Sequence, residues 1–220
     1  MANAFRVSGR RAGLRFDAEH GVATEALLFL GELDPEAIGP SLEHATHYEP
    51  TPVDEFERLL AHVPFPLEGA SFVDLGSGMG RVVLLAARRP FKQVIGVEIS
   101  PALHEIARDN LTAYGRSRLR CRDVRLVRRD AAAAAFPPGD LVVYLYNPFR
   151  APVLERVVTR LAGREAGALA VIYHTPLERA AFEASGAFEL VAEEPFGIVY
   201  RRTAYCAVSP PSMTNSAPVT

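Results

Sequence analysis

Apolar and amphipathic segments alternate along the chain from residue 70 onward. Apolar runs rich in Val, Ile, Leu, Phe and Tyr are typical of strands that are buried in a sheet. Such runs predict seven strands, at residues 70–75, 93–100, 124–130, 140–147, 168–175, 188–194 and 197–208. Amphipathic patterns with apolar residues at three- and four-residue steps predict helices between them. These helices are expected at residues 81–89, 100–115, 151–163 and 177–185.

The order of these elements predicts an α/β fold. Strands that alternate with helices form a mostly parallel sheet with helices on both faces. The last two strands are joined by a short link that contains Pro195 and Gly197. Because this link is too short for a crossover helix, the two strands are expected to pair antiparallel.

The two ends of the chain differ from this pattern. Residues 51–63 predict one amphipathic helix, and the first 50 residues contain short helical pieces with several glycines and prolines. We expect residues 1–65 to form an N-terminal helical cover that shapes the substrate site, and residues 66–208 to form the main domain. Residues 209–220 are rich in Pro, Ser, Thr and Asn and have little to bury, which predicts a flexible tail.

Composition limits the class of protein. Hydrophobic residues make up 49% of the chain and charged residues 23%, which is typical of a globular protein with a real core. The net charge of −2 gives no global reason to expect a nucleic acid or a membrane surface as a partner. No apolar run approaches the roughly 20 residues that span a bilayer. Cys121 and Cys206 form no CxxC pair and no secretory segment opens the chain, so we expect a cytoplasmic protein.

The densest charge feature lies at residues 116–129, which contain seven arginines and one acidic residue. A groove for single-stranded nucleic acid would place aromatic residues among such charges, and this segment has none. Charged residues on an edge strand prevent pairing with other sheets. We therefore expect a solvated sheet edge, with an acidic or nucleic-acid partner as the alternative. No His, Cys and Asp cluster has the spacing of metal ligands, so no metal is expected.

A glycine-rich turn stands between the first predicted strand and the first predicted helix, in the segment SFVDLGSGMGRVVLLAA at residues 71–87. A phosphate-binding P-loop needs a lysine that this turn lacks. A dinucleotide fingerprint needs glycines at the first, third and sixth positions, but counting from Gly76 places Arg81 sixth. The carboxylate of Asp74 would also repel a pyrophosphate. A turn without any ligand stays a further alternative.

For an adenosyl cofactor that has no phosphates, the carboxylate of Asp74 is favourable instead of unfavourable. S-adenosylmethionine carries an ammonium and a sulfonium group, which the carboxylate of Asp74 can attract. Glu98, at the end of the second predicted strand, is placed to accept hydrogen bonds from both ribose hydroxyls. Glu98 would serve NAD equally well, so the position of Asp74 decides in favour of the adenosyl cofactor.

Four motifs together resemble those of the class I, seven-stranded S-adenosylmethionine-dependent methyltransferases. They are FVDLGSGMGR, VIGVEIS, RRDAAAAAFP and DLVVYLYNPF. The resemblance implies a Rossmann-like sheet of strand order 3-2-1-4-5-7-6 with strand 7 antiparallel, and release of S-adenosylhomocysteine as product. It also implies cofactor contacts from the first two motifs at Asp74, Gly76, Ser77, Gly78, Gly80, Arg81, Glu98, Ile99 and Ser100. In the later motifs, the resemblance places Asp130 and Ala131 beside the adenine, and Asn147, Pro148 and Phe149 beside the methyl group.

A narrower resemblance concerns HYEPTPVDEFERLL followed by the glycine turn. It is similar to non-SET protein-lysine methyltransferases, in which such a segment closes over the methionine end of the cofactor. On that basis Tyr48, Glu49 and Thr51 are candidate cofactor contacts. His44 and His47 precede this segment and could enter the site with it. The stretch at residues 16–33 also resembles the leader of uncharacterised bacterial methyltransferases.

Three residues are candidates for catalysis: Asn147, Tyr48 and His174. Asn147 ends the predicted central strand, at the sheet edge where open α/β folds bind ligands. The sequence NPF resembles the loop of amino-group methyltransferases but lacks its second proline. His174 stands near the end of the fifth predicted strand and is either a base or a buried structural residue. Tyr144 and Tyr146 are expected in the core or the pocket wall.

These features predict transfer of a methyl group to a nitrogen or oxygen nucleophile of a small-molecule or peptide acceptor. Protein-lysine N-methylation is one alternative, which would make a protein the substrate. A cofactor-binding module without transferase activity is another. The sequence identifies neither the oligomeric state nor the acceptor.

Overall fold

The computed structural model describes residues 2–25, 49–146, 151–165 and 167–203. The predicted flexible tail and Cys206 lie outside these residues. Six helices are present in the described part of the chain: α1 (Ala2–His20), α2 (Val53–Ala61), α3 (Arg81–Ala87), α4 (Pro101–Tyr114), α5 (Ala151–Ala162) and α6 (Ala180–Ser185). Its seven strands are β1 (Ser71–Leu75), β2 (Gln93–Glu98), β3 (Asp123–Arg128), β4 (Leu141–Tyr146), β5 (Leu169–His174), β6 (Phe188–Glu194) and β7 (Gly197–Arg202).

The strands form one sheet in the order β3-β2-β1-β4-β5-β7-β6, which confirms the predicted topology. Strands β1 to β5 run parallel, and β7 pairs antiparallel with both β5 and β6. The short link after β6 forces this reversal, because only two residues separate Glu194 from Gly197. The carboxyl ends of β1, β2, β4 and β5 therefore meet along one edge of the sheet, where ligands bind in open α/β folds.

Hydrophobic clusters cover both faces of the sheet. On one face Phe72 and Tyr144 pack with helices α2 and α3. On the other face Val73 and Val143 pack with helix α5. Side chains of successive strand residues point to opposite faces, so each buried strand supplies both clusters. This arrangement explains why the strands read as continuous apolar runs in the sequence.

The N-terminal helix is longer than the short helical pieces that the sequence predicts. Helix α1 has 19 residues, and its apolar side chains do not repeat at helical steps. Its second half is held by packing: the Phe16 ring stacks on His20 with centroids 4.5 Å apart, and His20 stacks on Tyr114 of α4 at 4.9 Å. Tertiary contacts of this kind override a weak local pattern.

Two other sequence expectations concern the rim of the sheet and the membrane. Strand β3 forms one edge of the sheet, as the arginine-rich segment predicts, and Arg125 there pairs with Asp123 at 2.8 Å. Cys121 is a buried free thiol. Within the described ranges, no helix combines the length and apolar character needed to cross a bilayer. The same ranges contain no group of three or more His, Cys, Asp or Glu side chains that could hold a metal ion.

Candidate cofactor and acceptor site

The turn between β1 and α3 is built on glycines in left-handed backbone conformations. Gly76, Gly78 and Gly80 have φ angles of 81°, 51° and 87°. A side chain at these positions would strain the backbone, which explains the glycines at alternate positions. The backbone N–H groups of Gly76 and Ser77 donate to the carbonyl oxygen of Val97 at 2.9 and 3.0 Å. The turn is therefore fixed against the end of β2.

Asp74 lies on β1 directly below this turn. Its side chain is buried, and no residue of the described ranges donates a hydrogen bond to it. Burial raises the pKa of Asp74 well above its usual range, and the nearby charge of Glu98 raises this pKa further. A buried carboxyl group without a donor stabilises a cation that binds beside it. Asp74 therefore prepares the site for a positively charged group.

Glu98 ends β2 and faces the same turn. Its two carboxylate oxygens accept hydrogen bonds from the backbone N–H groups of Gly78 and Ser100, both at 2.8 Å. Burial raises the pKa of Glu98, while the N–H groups of Ser100, Gly78 and Ile99 lower it in part. Each oxygen keeps a lone pair that can accept a hydroxyl hydrogen. Ser100 also caps α4, because its Oγ accepts a hydrogen bond from the N–H of Leu103 at 3.3 Å.

Two further predicted contacts have distinct surroundings. Asp130 follows β3, and its Oδ1 accepts a hydrogen bond from the N–H of Ala132 at 2.8 Å, which caps a short 3-10 turn that begins at the buried Ala131. The Oγ of Ser77 is buried and has no hydrogen-bond partner within the described part of the chain. It lies 2.9 Å from the place where a Cβ at Gly96 would stand. The Ser77 side chain is thus packed against β2.

Arg81 follows the glycine turn, and its side chain is only 2% exposed. Its guanidinium donates to Thr24 Oγ1 at 2.7 Å, to Glu25 Oε2 at 2.6 Å and to Asp17 Oδ1 at 3.3 Å. It also donates to the carbonyl oxygens of Thr51 and Gly13, at 3.4 and 3.5 Å, in the segments before α2 and within α1.

Arg81 therefore joins the N-terminal segment to the glycine turn. Its predicted contact with the cofactor stays a prediction. The partners Asp17, Thr24 and Glu25 were missed from sequence, because no local pattern marks residues that meet across 56 or more positions.

A second cluster lies at the carboxyl ends of β4 and β5, where Tyr146 and His174 are neighbours in the sheet. His174 is 2% exposed, and its ring lies 4.2 Å from the Tyr146 ring, centroid to centroid. The His174 Nε2 lies 2.7 Å from Glu55 Oε2 on α2, and its Nδ1 lies 3.1 Å from Thr175 Oγ1. Burial raises the pKa of Tyr146, the nearby side chain of Glu49 raises this pKa further, and Thr175 lowers it.

Thr51 and Tyr144 connect this cluster to the cofactor side. The Thr51 Oγ1 lies 2.9 Å from the Tyr144 hydroxyl, and both side chains are buried. Burial raises the pKa of Tyr144 well above its usual range, and the nearby charge of Asp74 contributes. Tyr144 is part of the hydrophobic core, which is one of the two expected places. Glu55 was missed from sequence, although it stands one helical turn after Thr51 in a helix that the sequence does predict.

The remaining predicted site residues are not described. Tyr48, Asn147, Pro148 and Phe149 lie outside the described residues, as do His44 and His47. Among the three catalytic candidates, the structure thus places His174 alone. His174 joins Glu49, Glu55 and Tyr146 in one cluster.

Comparison with known proteins identifies the domain. A family model described as a methyltransferase domain matches residues 72–163. No curated protein matches the sequence significantly. Among solved structures, an RNA methyltransferase from Salinibacter ruber in complex with S-adenosyl-L-homocysteine is 24% identical, with 70% of this chain and 92% of that chain covered and a TM-score of 0.50.

Two other solved structures share the fold. The putative methyltransferase yhhF from Escherichia coli is 20% identical over 69% of this chain and 84% of that chain, with a TM-score of 0.52. A predicted N6-adenine-specific DNA methylase from Listeria monocytogenes is 14% identical over 71% of this chain and 52% of that chain, with a TM-score of 0.53. Because proteins with RNA and DNA in their descriptions share this fold, the comparisons give no support to the expectation that nucleic acid is not a partner.

The fold and the glycine-turn site define a class I, seven-stranded methyltransferase domain. The protein is an S-adenosylmethionine-dependent methyltransferase, and S-adenosylmethionine is its cofactor. The residues present fit this cofactor. Asp74 offers a cation a buried carboxyl group that has no hydrogen-bond donor among the described residues, and Glu98 offers two oxygens to the ribose hydroxyls. When bound, S-adenosylmethionine would supply a methyl group on a sulfonium.

Proposed function

We propose that this protein transfers the methyl group of S-adenosylmethionine to a nitrogen or oxygen nucleophile of a small-molecule or peptide acceptor, and that a cationic amine is the preferred acceptor. The observation that carries this proposal is the cluster at the carboxyl ends of β4 and β5. It combines the carboxylates of Glu49 and Glu55 with the rings of Tyr146 and His174. Carboxylates and aromatic faces both attract an ammonium group.

The position of the cluster supports the same acceptor. Tyr144 lies beside Asp74 in the sheet register, and Tyr146 lies two residues further along the same strand. The cluster is therefore adjacent to the part of the site that binds the cationic end of the cofactor. Methyl transfer needs a nucleophile held about 3 Å from the methyl carbon in line with the breaking bond. An ammonium ion must lose a proton before its nitrogen can attack, so titratable groups are useful at this position.

We propose further that residues 1–65 cover the cofactor and help to shape the acceptor pocket. Asp17 and Glu25 bind Arg81, at the end of the glycine turn. Asn110 of α4 bridges the two sides as well, because it binds the backbone of Ala23 and donates to the carbonyl oxygen of Met79 at 3.0 Å. These contacts hold the N-terminal segment against the turn that receives the cofactor.

An acceptor screen tests the proposed function. Purified protein is supplied with labelled S-adenosylmethionine and separate panels of primary amines, lysine-containing peptides, carboxylic acids, phenols, RNA and DNA. We expect S-adenosylhomocysteine and labelled product from amines or peptides. Labelled product with lysine-containing peptides but not with free amines would favour protein-lysine methylation. Transfer to nucleic acid or carboxylic acids alone would contradict the proposal.

Calorimetry accompanies the screen as a control for the cofactor site. S-adenosylmethionine binding is measured on the same protein preparation. Binding without product from any acceptor, including a cell extract, would favour a cofactor-binding module without transferase activity. Absent binding would instead point to a damaged preparation, and the screen would be repeated with a preparation that binds the cofactor.

A further inference from the structure

We propose that the Glu55 carboxylate binds the ammonium group of the acceptor, and that His174 is a positioning residue that orients this carboxylate. This inference rests on the proposed preference for a cationic amine and assigns that preference to one side chain. Glu55 thereby determines specificity for a charged acceptor, and His174 acts only through Glu55.

The Glu55 carboxylate has one engaged oxygen and one open oxygen. Its Oε2 lies 2.7 Å from His174 Nε2, which is within hydrogen-bond range. Its Oε1 has no hydrogen-bond partner among the described residues. The side chain is 21% exposed, so a ligand can reach it from solvent. Both oxygens of an ionised carboxylate accept hydrogen bonds, so Oε1 is available to an N–H donor.

The charge of Glu55 has no arginine or lysine as a partner within the part of the chain that the structure describes. Arg58, the one arginine of α2, pairs with Glu194 at 2.5 Å instead. The partner of Glu55 is His174, whose imidazole donates a hydrogen bond even in its neutral form. A guanidinium is always charged and would neutralise the carboxylate. A neutral imidazole therefore orients the carboxylate and leaves its charge available to a ligand.

His174 is itself held in one orientation. Its side chain is 2% exposed, and its Nδ1 lies 3.1 Å from Thr175 Oγ1. Its ring lies 4.2 Å from the ring of Tyr146 and 5.9 Å from that of Phe196, centroid to centroid. Buried side chains packed in this way have little freedom to turn. The Nε2 of His174 therefore stays directed toward Glu55, and the buried ring has no contact with the acceptor.

The backbone that follows β5 supports this placement. Thr175 has a φ of 48° and is the one non-glycine residue with a positive φ in the described ranges. This conformation is rare for a β-branched residue, and such strain concentrates at functional sites. The Thr175 N–H donates to the carbonyl oxygen of Phe196 at 2.8 Å, which holds the conformation. The Thr175 Oγ1 thereby lies against Nδ1 of His174.

Glu55 lies at the same edge of the sheet as Asp74. Tyr144 is the neighbour of Asp74 in the register of β1 and β4. Burial raises the pKa of Tyr144, and the charges of Asp74 and Glu55 raise it further. Burial also raises the pKa of Tyr146, and the charges of Glu49 and Glu55 contribute. The Glu55 carboxylate is therefore near the carboxyl end of β4, beside the part of the site that attracts the cationic end of the cofactor.

Helix α2 fixes the main chain of Glu55. The buried Phe56 ring stands edge-on to that of Tyr144 at 5.8 Å. A Cβ at Gly197 would lie 2.8 Å from Leu59 Cδ1, so α2 is in close contact with the start of β7. The carboxylate thus has a fixed helix beneath it and a fixed hydrogen-bond donor beside it. Its conformational entropy is lost during folding and not during binding, which favours tight binding of the acceptor.

Two small probes of equal size test the role of Glu55. n-Butylamine is positively charged at neutral pH, and n-butanol is neutral. Their dissociation constants are measured by NMR titration of protein saturated with S-adenosylhomocysteine, so that the cofactor side of the site is occupied. In the wild type, n-butylamine should bind about 10- to 100-fold more tightly, the effect of one hydrogen bond to a charged group. In Glu55→Gln, which keeps the shape and removes the charge, the two affinities should agree within about threefold.

Two other carboxylates of this region serve as controls. Asp54→Asn removes the same charge from the preceding, exposed position of α2 and should change the preference for the amine by less than about twofold, because solvent screens this charge. Glu49→Gln removes the other charge near Tyr146. An unchanged preference in Glu55→Gln, an equal loss in Asp54→Asn, or a larger loss in Glu49→Gln would overturn the inference.

Two replacements of His174 separate orientation of the carboxylate from ring packing. The amide nitrogen of glutamine reaches about as far as Nε2 and can donate to Glu55, whereas that of asparagine reaches only as far as Nδ1. His174→Gln should keep most of the preference for n-butylamine. His174→Asn should reduce it about 2- to 10-fold, because the carboxylate must then be ordered on binding. Equal preferences in the two variants would overturn the positioning role.

Nitrogen NMR of the wild type tests the hydrogen bond without a change to His174. Its signals are assigned by their shift in Glu55→Gln, and Nε2 should carry a hydrogen, because an ionised carboxylate only accepts. An unprotonated Nε2 would also overturn the positioning role.

The titrations distinguish this inference from the proposed function. Absent binding of n-butylamine, or equal binding of the two probes by the wild type, would overturn the inference, while the acceptor screen still decides the proposed function. A preference that is lost in Glu55→Gln, without methylation of any amine in the screen, would confirm an ammonium site at Glu55 and reject the proposed function.

Discussion

Loss of the Arg81 side chain should destabilise the protein far more than loss of an ordinary surface arginine. Arg81→Met keeps the aliphatic stem and removes the guanidinium. The variant leaves Asp17 and Glu25, with side chains 12% and 9% exposed, without their cation. Breaking a buried ion pair by removal of one partner costs about 3–5 kcal/mol.

The structure places the expected loss at the lower end of this range. Asp17 keeps three hydrogen bonds, from the Thr24 N–H, the Thr24 hydroxyl and the Glu25 N–H, at 2.6 to 2.7 Å. The Glu25 carboxylate loses the 2.6 Å bond from Arg81. We therefore expect a loss of about 3 kcal/mol in the free energy of unfolding. With a urea m-value of about 1–3 kcal/mol/M, the midpoint should fall by roughly 1–3 M.

Urea unfolding followed by circular dichroism measures this loss, with Arg108→Met as the matched control. Arg108 pairs with Glu105 on α4, and both side chains are more than 60% exposed. An exposed pair of this spacing contributes about 0.5 kcal/mol or less. A loss below about 1 kcal/mol in Arg81→Met, or equal losses in both variants, would refute the argument from burial. In calorimetry, Arg81→Met should weaken S-adenosylmethionine binding less than Asp74→Ala if Arg81 serves the N-terminal segment alone.

Two further substitutions test strands β1 and β2, which lie beneath the glycine turn. Asp74→Asn should raise stability at neutral pH and weaken S-adenosylmethionine binding in calorimetry, because the raised pKa of Asp74 means that its ionised form destabilises the folded state. The free energy of unfolding of the wild type should therefore fall relative to that of Asp74→Asn as the pH rises above about 4, near which the pKa of an unfolded aspartate lies. Urea titrations at pH 5 and pH 8 measure this difference, and an opposite slope would contradict the raised pKa. Gly96→Ala should cost about 1–3 kcal/mol in the same unfolding assay, because a Cβ there would lie 2.7 Å from Val83 Cγ2 and 2.9 Å from both Leu126 Cδ2 and Ser77 Oγ. A change below about 0.5 kcal/mol would show that these neighbours move aside at little cost.

Much of the fold could be predicted from the sequence because its main signals are local. The buried strands are continuous apolar runs, and the short link before Gly197 forces the antiparallel strand. Ser100 and Pro101 mark the start of α4 as a capping residue and a first-turn proline. Helix α1 was underestimated, because its order comes from contacts such as Phe16 against Tyr114, which no local pattern encodes.

The cofactor side of the site was also accessible from sequence, while the acceptor side was not. Asp74 and Glu98 stand at the ends of strands whose order the motifs imply, so their proximity follows from topology. The contact between Glu55 and His174 joins residues 119 positions apart and depends on how α2 packs over the sheet. The sequence motif places Arg81 at the cofactor, yet its side chain hydrogen-bonds residues that come near it only in the folded chain.

The N-terminal segment has a consequence for the order in which the protein folds. Ala23 binds Asn110, which lies 87 residues later in the chain. At roughly 5–20 residues per second, a ribosome needs roughly 4 to 17 seconds to make that stretch. Asp17 and Glu25 lack Arg81 until residue 81 has been made, and Ala23 lacks Asn110 until residue 110 has been made. The segment that contains α1 therefore completes its contacts only after both the glycine turn and α4 have been made.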